Sequence, residues 1–331
     1  MDATVPSLDA LLSDAAVVSL PLRTRFRGLD RRELMLLRGP RGWAEFSPFV
    51  EYDDREAAAW LQATCDEGWG PEVPHYRDSI PVNATLPAVA AAQVPAVLER
   101  FGAVRTVKVK VAERGQTLDD DVARVRAARE HLGPAGRIRV DANGAWNVDE
   151  AEHAAHLLAP FDLEYLEQPC ASVDELAELR ERLRDWQLPI AADESVRKAE
   201  DPLAVARAGA ADLLVIKAAP LGGVRAALAI AADAGLPVVI SSALESSVGL
   251  SMGARLAAAV PELLFDCGLG TAALLAADVT REPLVPVNGE VPVRRIDVDG
   301  DLVREHAAAP DRVAWWRDRL ERCHRLLTEG E

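Results

Sequence analysis

The stretch Arg137-Ile138-Arg139-Val140-Asp141-Ala142-Asn143-Gly144 reads as a short apolar strand that ends on an acid and runs into a turn. Two later stretches repeat the pattern, because Leu163-Glu164-Tyr165-Leu166-Glu167 and Ile190-Ala191-Ala192-Asp193 also end on acids. Asp141, Glu167 and Asp193 thus follow one another at intervals of 26 residues. Each interval holds one strand and one Ala-, Arg- and Glu-rich amphipathic helix, which is the length of a β/α unit. Further candidate strands at Thr106–Val111, Leu213–Ile216, Val238–Ser241 and Leu263–Phe265, with another candidate at Ile80–Asn83, continue the rhythm. Seven or eight such units favour a closed parallel barrel over an open sheet, an α/β fold of the (β/α)7β TIM-barrel type. All strand ends of a barrel open onto one face, so acids one unit apart in sequence become neighbours in space.

Outside this region the pattern changes. Residues 1–85 carry short alternating stretches, Val17–Leu22 and Glu33–Leu37, then a helical segment Arg55–Trp69, as expected of a small α+β domain. A proline-dotted connection, Pro71–Pro87, leads into the barrel, which is expected over 86–285. The final segment, 286–331, ends in a helix over Arg312–Leu327 and is expected to return to the first domain.

Composition narrows the classes of function. The 331 residues include 49% hydrophobic ones, enough for one large core and one small one. A formal charge of −16 with no dense Lys/Arg run argues against nucleic acid, whose phosphates need a basic face. The Met1-Asp2-Ala3 start lacks the basic and apolar character of a signal peptide and no run reaches membrane-span length, so a cytoplasmic protein without a membrane partner is expected. Cys65, Cys170, Cys267 and Cys323 are scattered and read as reduced, buried thiols. His153 and His156 could ligate a metal by spacing but read more simply as helix-surface residues, and no role is assigned to them. A monomer and a homo-oligomer both remain open.

The three acids are the centre of the chemistry. Each alone also fits an ordinary helix-cap or turn role, but unit spacing at strand ends is hard to explain structurally. Converging carboxylates suit Mg²⁺, with Mn²⁺ as the alternative, whereas zinc would call for His or Cys. In Val107-Lys108-Val109-Lys110-Val111 the alternation turns both lysines away from the valines and into the barrel mouth. Lys217 ends a later strand, Leu213–Ile216, and faces the same opening from the other side. Solvated lysines on an edge strand are the alternative, but a closed barrel has no edges. Lysines beside a metal and a carboxylate substrate imply removal of a weakly acidic α-proton, with the metal stabilising the resulting enediolate. Crowding of the ammonium groups would lower a pKa enough to give a neutral base. Asn143 and Arg139 share the parity of Asp141 and are candidate contacts to metal, water or substrate, with a turn role open for Asn143.

Taken in order, Lys108-Val109-Lys110, Val140-Asp141-Ala142-Asn143, Glu167-Gln168-Pro169, Ala192-Asp193-Glu194-Ser195 and Ile216-Lys217 resemble the muconate-lactonising branch of the enolase superfamily over nearly the whole chain. Within that branch, Pro81-Val82-Asn83-Ala84-Thr85-Leu86-Pro87, Arg139 to Trp146 and Ser241 to Gly249 are similar to the o-succinylbenzoate synthase family. The resemblance implies a small carboxylate as substrate and a metal held by Asp141, Glu167 and Asp193. Lys110 would act as the base of a syn dehydration, tuned by the charge of Lys108. Lys217 would stabilise the anion from the opposite face, where a cation–π contact with the ring is available. It further implies that Ser241, Ser242 and the Gly268-Leu269-Gly270 backbone hold a distal carboxylate, and that the first domain caps the mouth with a short, arginine-rich loop, Arg23–Asp30. N-succinylamino acid racemisation, dipeptide epimerisation and muconate cycloisomerisation use related residues. A non-catalytic binding barrel would have no need of every one of these charged positions.

Overall fold

The computed structural model describes residues 5–198 and 201–329, so the Met1-Asp2-Ala3 start lies outside the described residues. The first domain is built on an antiparallel sheet of β1 (Ala16–Phe26), β2 (Leu29–Gly39) and β3 (Gly42–Phe46), in that order. Only Arg27 and Gly28 join β1 to β2, with φ of 51° and 75°. A two-residue hairpin demands such left-handed geometry, which glycine adopts without cost.

The helix Asp54–Trp69 packs on this sheet and is N-capped by the Asp53 side chain, which accepts from the Glu56 N–H at 2.8 Å. The helix Pro310–Glu329 lies beside it. Arg322 reaches Asp54 at 2.6 Å, Trp316 donates to Glu33 at 3.0 Å, and the Trp316 ring meets Phe46 edge-on at 5.8 Å. Burial of each of these large side chains contributes roughly 1.5–3 kcal/mol, which outweighs the loose ion pairs around them.

Seven parallel strands form the second sheet: β5 (Ala84–Leu86), β6 (Thr106–Lys110), β7 (Arg137–Asp141), β8 (Leu163–Glu167), β9 (Ile190–Ala192), β10 (Leu213–Ile216) and β11 (Val238–Ile240), each beside the next. A separate pair, β4 (Ser79–Pro81) and β12 (Glu290–Pro292), runs antiparallel. The candidate strand at Ile80–Asn83 is therefore divided. Ile80 and Pro81 pair with β12, Val82 bridges Cys267, and the first barrel strand begins only at Ala84. Pro81 has no N–H to give to a ladder, which limits it to a sheet edge.

No regular strand forms over Leu263–Phe265 either. Leu264 is exposed and the Phe265 ring packs edge-on against Tyr165, so the apolar triplet serves as a connection and a plug. The barrel is closed two residues later by Cys267 and Gly268. Cys267 N–H donates to Pro81 at 2.7 Å and its carbonyl accepts from Asn83 at 2.9 Å, while Gly268 N–H donates to Ile240 at 2.8 Å. Side chains reinforce this thin closure, because buried Asp266 accepts from Arg105 at 2.8 and 2.6 Å and from Thr106 at 2.6 Å.

Among the described residues no helix is long and apolar enough to cross a membrane. All four cysteines are free and buried, and the His156 ring packs tilted against Trp186, with centroids 3.9 Å apart.

Asp266→Ala leaves the Thr106 hydroxyl without its acceptor and frees the closing segment. Urea unfolding followed by tryptophan fluorescence is expected to show a loss of about 1–3 kcal/mol.

Candidate active site

Strand register assembles the site. Lys110 on β6 stands opposite Asp141 on β7, and Asp141 stands opposite Glu167 on β8. Asp193 follows directly after β9, and Lys217 after β10. These five side chains and that of Lys108, also on β6, are buried at one end of the barrel. Lys108 donates to Glu167 at 2.7 Å and lies 3.2 Å from Asp141; Lys110 donates to Asp141 at 2.5 Å and to Asn143 at 2.6 Å; Lys217 donates to Asp193 at 2.6 Å.

Second partners fix the acids. Asp141 accepts from the Asn143 N–H at 3.0 Å, a contact that requires the left-handed turn of Asn143 at φ 49°. Arg197 holds Asp193 at 3.0 Å and Glu194 at 2.5 Å, and it donates to the hydroxyl of Tyr52 from the first domain at 3.0 Å. Gln168 accepts from the backbone N–H groups of Asp193 at 2.9 Å and Ser195 at 3.1 Å, so the Glu-Gln-Pro turn after β8 sets the turn after β9.

The charges act on one another. Burial and the neighbouring Asp141 carboxylate raise the Glu167 pKa to about 7. Burial works the same way on Asp141, but the Lys110 and Lys108 ammonium groups outweigh it and hold Asp141 below the usual carboxylate range. Asp193 is likewise lowered, burial being outweighed by Arg197 and Lys217. Burial opposes the charge of Lys108, yet Glu167 and Asp141 raise its pKa. Lys217 is lowered, by burial and by the nearby Arg197 and Lys108 cations despite Asp193. The expected lowering is therefore found at Lys217 and reversed at Lys108, where two carboxylates outweigh the crowding of ammonium groups.

Above these residues lies a cavity of about 30 Å³ lined by Phe26, Arg27, Thr85, Lys108, Lys110, Asp141, Asn143, Lys217, Ser241, Ser242, Ala243, Leu244, Gly268 and Thr271. It has room for little more than one water molecule. The tip of the β1–β2 hairpin, Phe26 and Arg27, forms part of its wall. A larger groove of about 700 Å³ between β1 and residues 272–286 contains none of the acids or lysines.

Ser241, Ser242 and Gly268 line the cavity as the sequence suggests, but Leu269 is fully buried and not part of its wall. Arg139 has the expected parity but the wrong depth. One residue pair below Asp141, it is fully buried and donates to Glu164 at 2.5 Å, Asn83 at 3.1 Å and the Asp266 carbonyl at 2.6 Å. Parity specifies the inner face of a strand and not the layer. Sequence reasoning missed Thr85 and Thr271, which come from loops or strands with no acid or lysine to draw notice. It also missed Arg197, whose position three and four residues after two acids on a helical turn was a usable signal.

The donor set fits a hard divalent cation in its chemistry. Three buried carboxylates supply anionic oxygens, and Glu194 Oε2, next to Asp193, is buried without a partner. Among the described residues no three acids are gathered around one point; Lys108 stands between Asp141 and Glu167, and Lys217 holds Asp193.

Fold and site together define a class. Residues 89–297 match the enolase C-terminal domain-like family and residues 17–68 the enolase N-terminal domain-like family. The chain superposes on muconate lactonizing enzyme from Pseudomonas fluorescens complexed with muconolactone with a TM-score of 0.76 at 21% identity, covering 93% of this chain and 100% of that one. An N-succinyl Arg/Lys racemase from Bacillus cereus gives a TM-score of 0.75 at 19% identity, with 89% and 97% covered. The o-succinylbenzoate synthase of Mycobacterium ulcerans is 56% identical over 326 residues, 98% of this chain and 97% of the relative. That of Mycolicibacterium smegmatis is 55% identical over 324 residues, 98% of this chain and 99% of the relative. This chain is thus an enzyme of the enolase superfamily, and within it the chain belongs to the o-succinylbenzoate synthase family.

Replacing Lys108 by alanine leaves Glu167 without its counter-ion beside Asp141, which keeps Lys110, at a cost of about 3–5 kcal/mol to the metal-free protein. Added Mg²⁺ is expected to raise the thermal unfolding midpoint more in Lys108→Ala than in the unmodified chain, because the cation takes over the lost charge.

Proposed function

We propose that this chain catalyses the Mg²⁺-dependent syn dehydration of 2-succinyl-6-hydroxy-2,4-cyclohexadiene-1-carboxylate to o-succinylbenzoate, a step of menaquinone biosynthesis. The reading rests above all on one observation: Lys110 and Lys217 enter one cavity from β6 and from the end of β10, beside three buried carboxylates. Relatives named o-succinylbenzoate synthase, 55–56% identical over nearly the full chain, support the choice of reaction.

Asp141, Glu167 and Asp193 would hold the cation, Mg²⁺ or alternatively Mn²⁺. When bound, it supplies Lewis-acid stabilisation of the charge that builds on the substrate carboxylate. Lys110 takes the proton from the carbon next to that carboxylate. The same nitrogen then returns the proton to the hydroxyl leaving from the same face, so one C–H and one C–O bond break and water departs as the ring becomes aromatic. Asn143, 2.6 Å from the Lys110 nitrogen, keeps it aimed along this path. The buried Lys217 ammonium lies over the opposite face and stabilises the anion. Lys108 counters the charge of Glu167 and Asp141 and thereby tunes Lys110. Ser241, Ser242 and Gly268 receive the distal succinyl carboxylate, while Leu269 and Arg139 support the wall from behind. Phe26 and Arg27 exclude water once the substrate is in place.

In this reading residues 1–85 form the cap, apart from Ala84 and Thr85 that begin the first barrel strand, 86–285 the catalytic barrel, and 286–331 the segment that returns to the cap. Free, buried thiols suit a cytoplasmic location. A second reading, racemisation of N-succinylamino acids, is favoured by the lowered pKa of Lys217, which would allow it to serve as a second base.

Purified protein is assayed spectrophotometrically on the cyclohexadiene and by polarimetry on N-succinylamino acids, each with Mg²⁺ and with EDTA. Efficient, EDTA-sensitive dehydration with slow racemisation supports the synthase, and the reverse supports the racemase. Lys110→Ala is expected to lower kcat by ~10³-fold, in the range of a lost general acid–base. Lys217→Arg is expected to keep a measurable fraction of dehydration, whereas a racemase would lose turnover of at least one enantiomer.

A further inference from the structure

The sequence Gly42-Trp43-Ala44-Glu45-Phe46-Ser47 places an acid at the buried end of β3, in the cap and away from the lysines and acids of the site. Its carboxylate crosses into the barrel domain. Glu45 Oε2 accepts from the Ser246 N–H at 3.1 Å, the Ser246 hydroxyl at 2.5 Å and the Gly249 N–H at 3.1 Å. These groups open the helix Ser247–Ala259, whose unpaired N–H groups suit a carboxyl oxygen, while burial and the neighbouring Glu245 raise the Glu45 pKa to about 7. Gly249 makes the approach possible, since a Cβ there would stand 3.0 Å from the Glu45 carboxyl carbon and 2.5 Å from the Glu245 Cβ.

A second cap residue reaches the same loop. Arg32 on β2, also buried, donates to the Leu244 carbonyl at 3.2 Å and to the Ser47 carbonyl, and its guanidinium lies 4.3 Å from the Phe49 ring. Arg27, which lines the active-site cavity, covers that ring too, at 4.2 Å. Leu244 has a left-handed backbone, φ 65°, which an L-residue adopts only when neighbours hold it. The next residue supplies one of those neighbours, because Glu245 Oε2 accepts from the Ala243 N–H at 2.6 Å. Ser241, Ser242, Ala243 and Leu244 form one wall of the cavity.

We propose that Glu45 and Arg32 are positioning residues: from the cap they grip the outside of the 241–249 loop and so set the shape of the substrate-binding wall, making substrate affinity dependent on correct docking of the cap. The idea rests on the dehydratase reading for its kinetic consequence, though not for the grip itself. Neither residue touches the reacting atoms, so their loss acts on binding more than on proton transfer.

The test compares Glu45→Ala, Glu45→Gln and Gly249→Ala with Arg312→Ala, which loosens the cap at Glu33, whose side chain leaves β2 on the face opposite to that of Arg32. Two readouts are used, hydrogen exchange of peptides spanning 241–249 in the ligand-free protein and the separate kcat and KM for dehydration, all below the unfolding temperature of each variant. Glu45→Ala and Gly249→Ala are expected to speed exchange over 241–249 by about 10-fold or more. They are also expected to raise KM by about 10-fold while changing kcat by less than about 3-fold. Glu45→Gln, whose amide oxygen accepts the same hydrogen bonds, restores most of the affinity. Arg312→Ala lowers the unfolding temperature without either effect. Unchanged exchange over 241–249, an unchanged KM in Glu45→Ala, or an equal rise of KM in Arg312→Ala overturns the proposal. If the unmodified chain fails to turn over the diene, the reaction reading is wrong and the exchange measurement alone decides whether the grip exists.

Discussion

Burying Asp141, Glu167 and Asp193 at one end of a barrel sets a charge problem that the rest of the molecule is arranged to solve. Two like charges 4 Å apart repel by about 4 kcal/mol even at the moderate screening of a protein interior. Three of them, removed from water, need counter-ions close by. Lys108, Lys110 and Lys217 supply these, and Arg197 adds a fourth cation at Asp193. In the proposed reaction the same lysines move a proton and steady an anion. Charge balance and reactivity would then be properties of one set of side chains. A divalent cation would shift the balance again, freeing lysine nitrogens from carboxylate partners at the moment they are needed.

Such a cluster requires a rigid frame. Strand register puts Lys110, Asp141 and Glu167 side by side, and Gln168 ties the turn after β8 to the turn after β9. The weak point of the frame is its closure, where among the described residues only Cys267 and Gly268 bridge Ser241, just after β11, to Val82, just before β5. There the interior becomes polar. Arg139 reaches Glu164, Asn83 and the Asp266 carbonyl, and Asp266 holds Arg105 and Thr106. Side-chain hydrogen bonds replace ladder bonds where the strand is too short to supply them. The cap completes the site from above with Phe26 and Arg27, and from the side through Tyr52 on Arg197.

Much of this was legible in the chain because the signals are periodic. Acids at intervals of 26 residues, each after an apolar run, predict strand ends on one barrel face, and alternation in Val107–Val111 predicts which way the lysines turn. The errors arose where periodicity carries no information. Leu263-Leu264-Phe265 is as apolar as a strand, but Leu264 is exposed and pairing begins at Cys267. Parity placed Arg139 on the inner face without saying that it lies a layer too deep to line the cavity. Glu45 meets its partner Ser246 across 201 positions, and no local pattern records a contact of that span. Thr85, in the middle of the three-residue β5, and Thr271, at the start of a short helical turn, were likewise invisible, since a lone hydroxyl carries no pattern that marks it as a site residue.

The claim on which everything rests is that Asp141, Glu167 and Asp193 act together on one divalent cation. Anomalous diffraction from crystals soaked in Mn²⁺ tests it directly. A single strong peak bounded by these three carboxylates, lost in Asp141→Asn, is the predicted result. Ordered crystals whose only manganese peaks lie elsewhere, for example at the surface pair Asp53 and Asp54, would contradict the account.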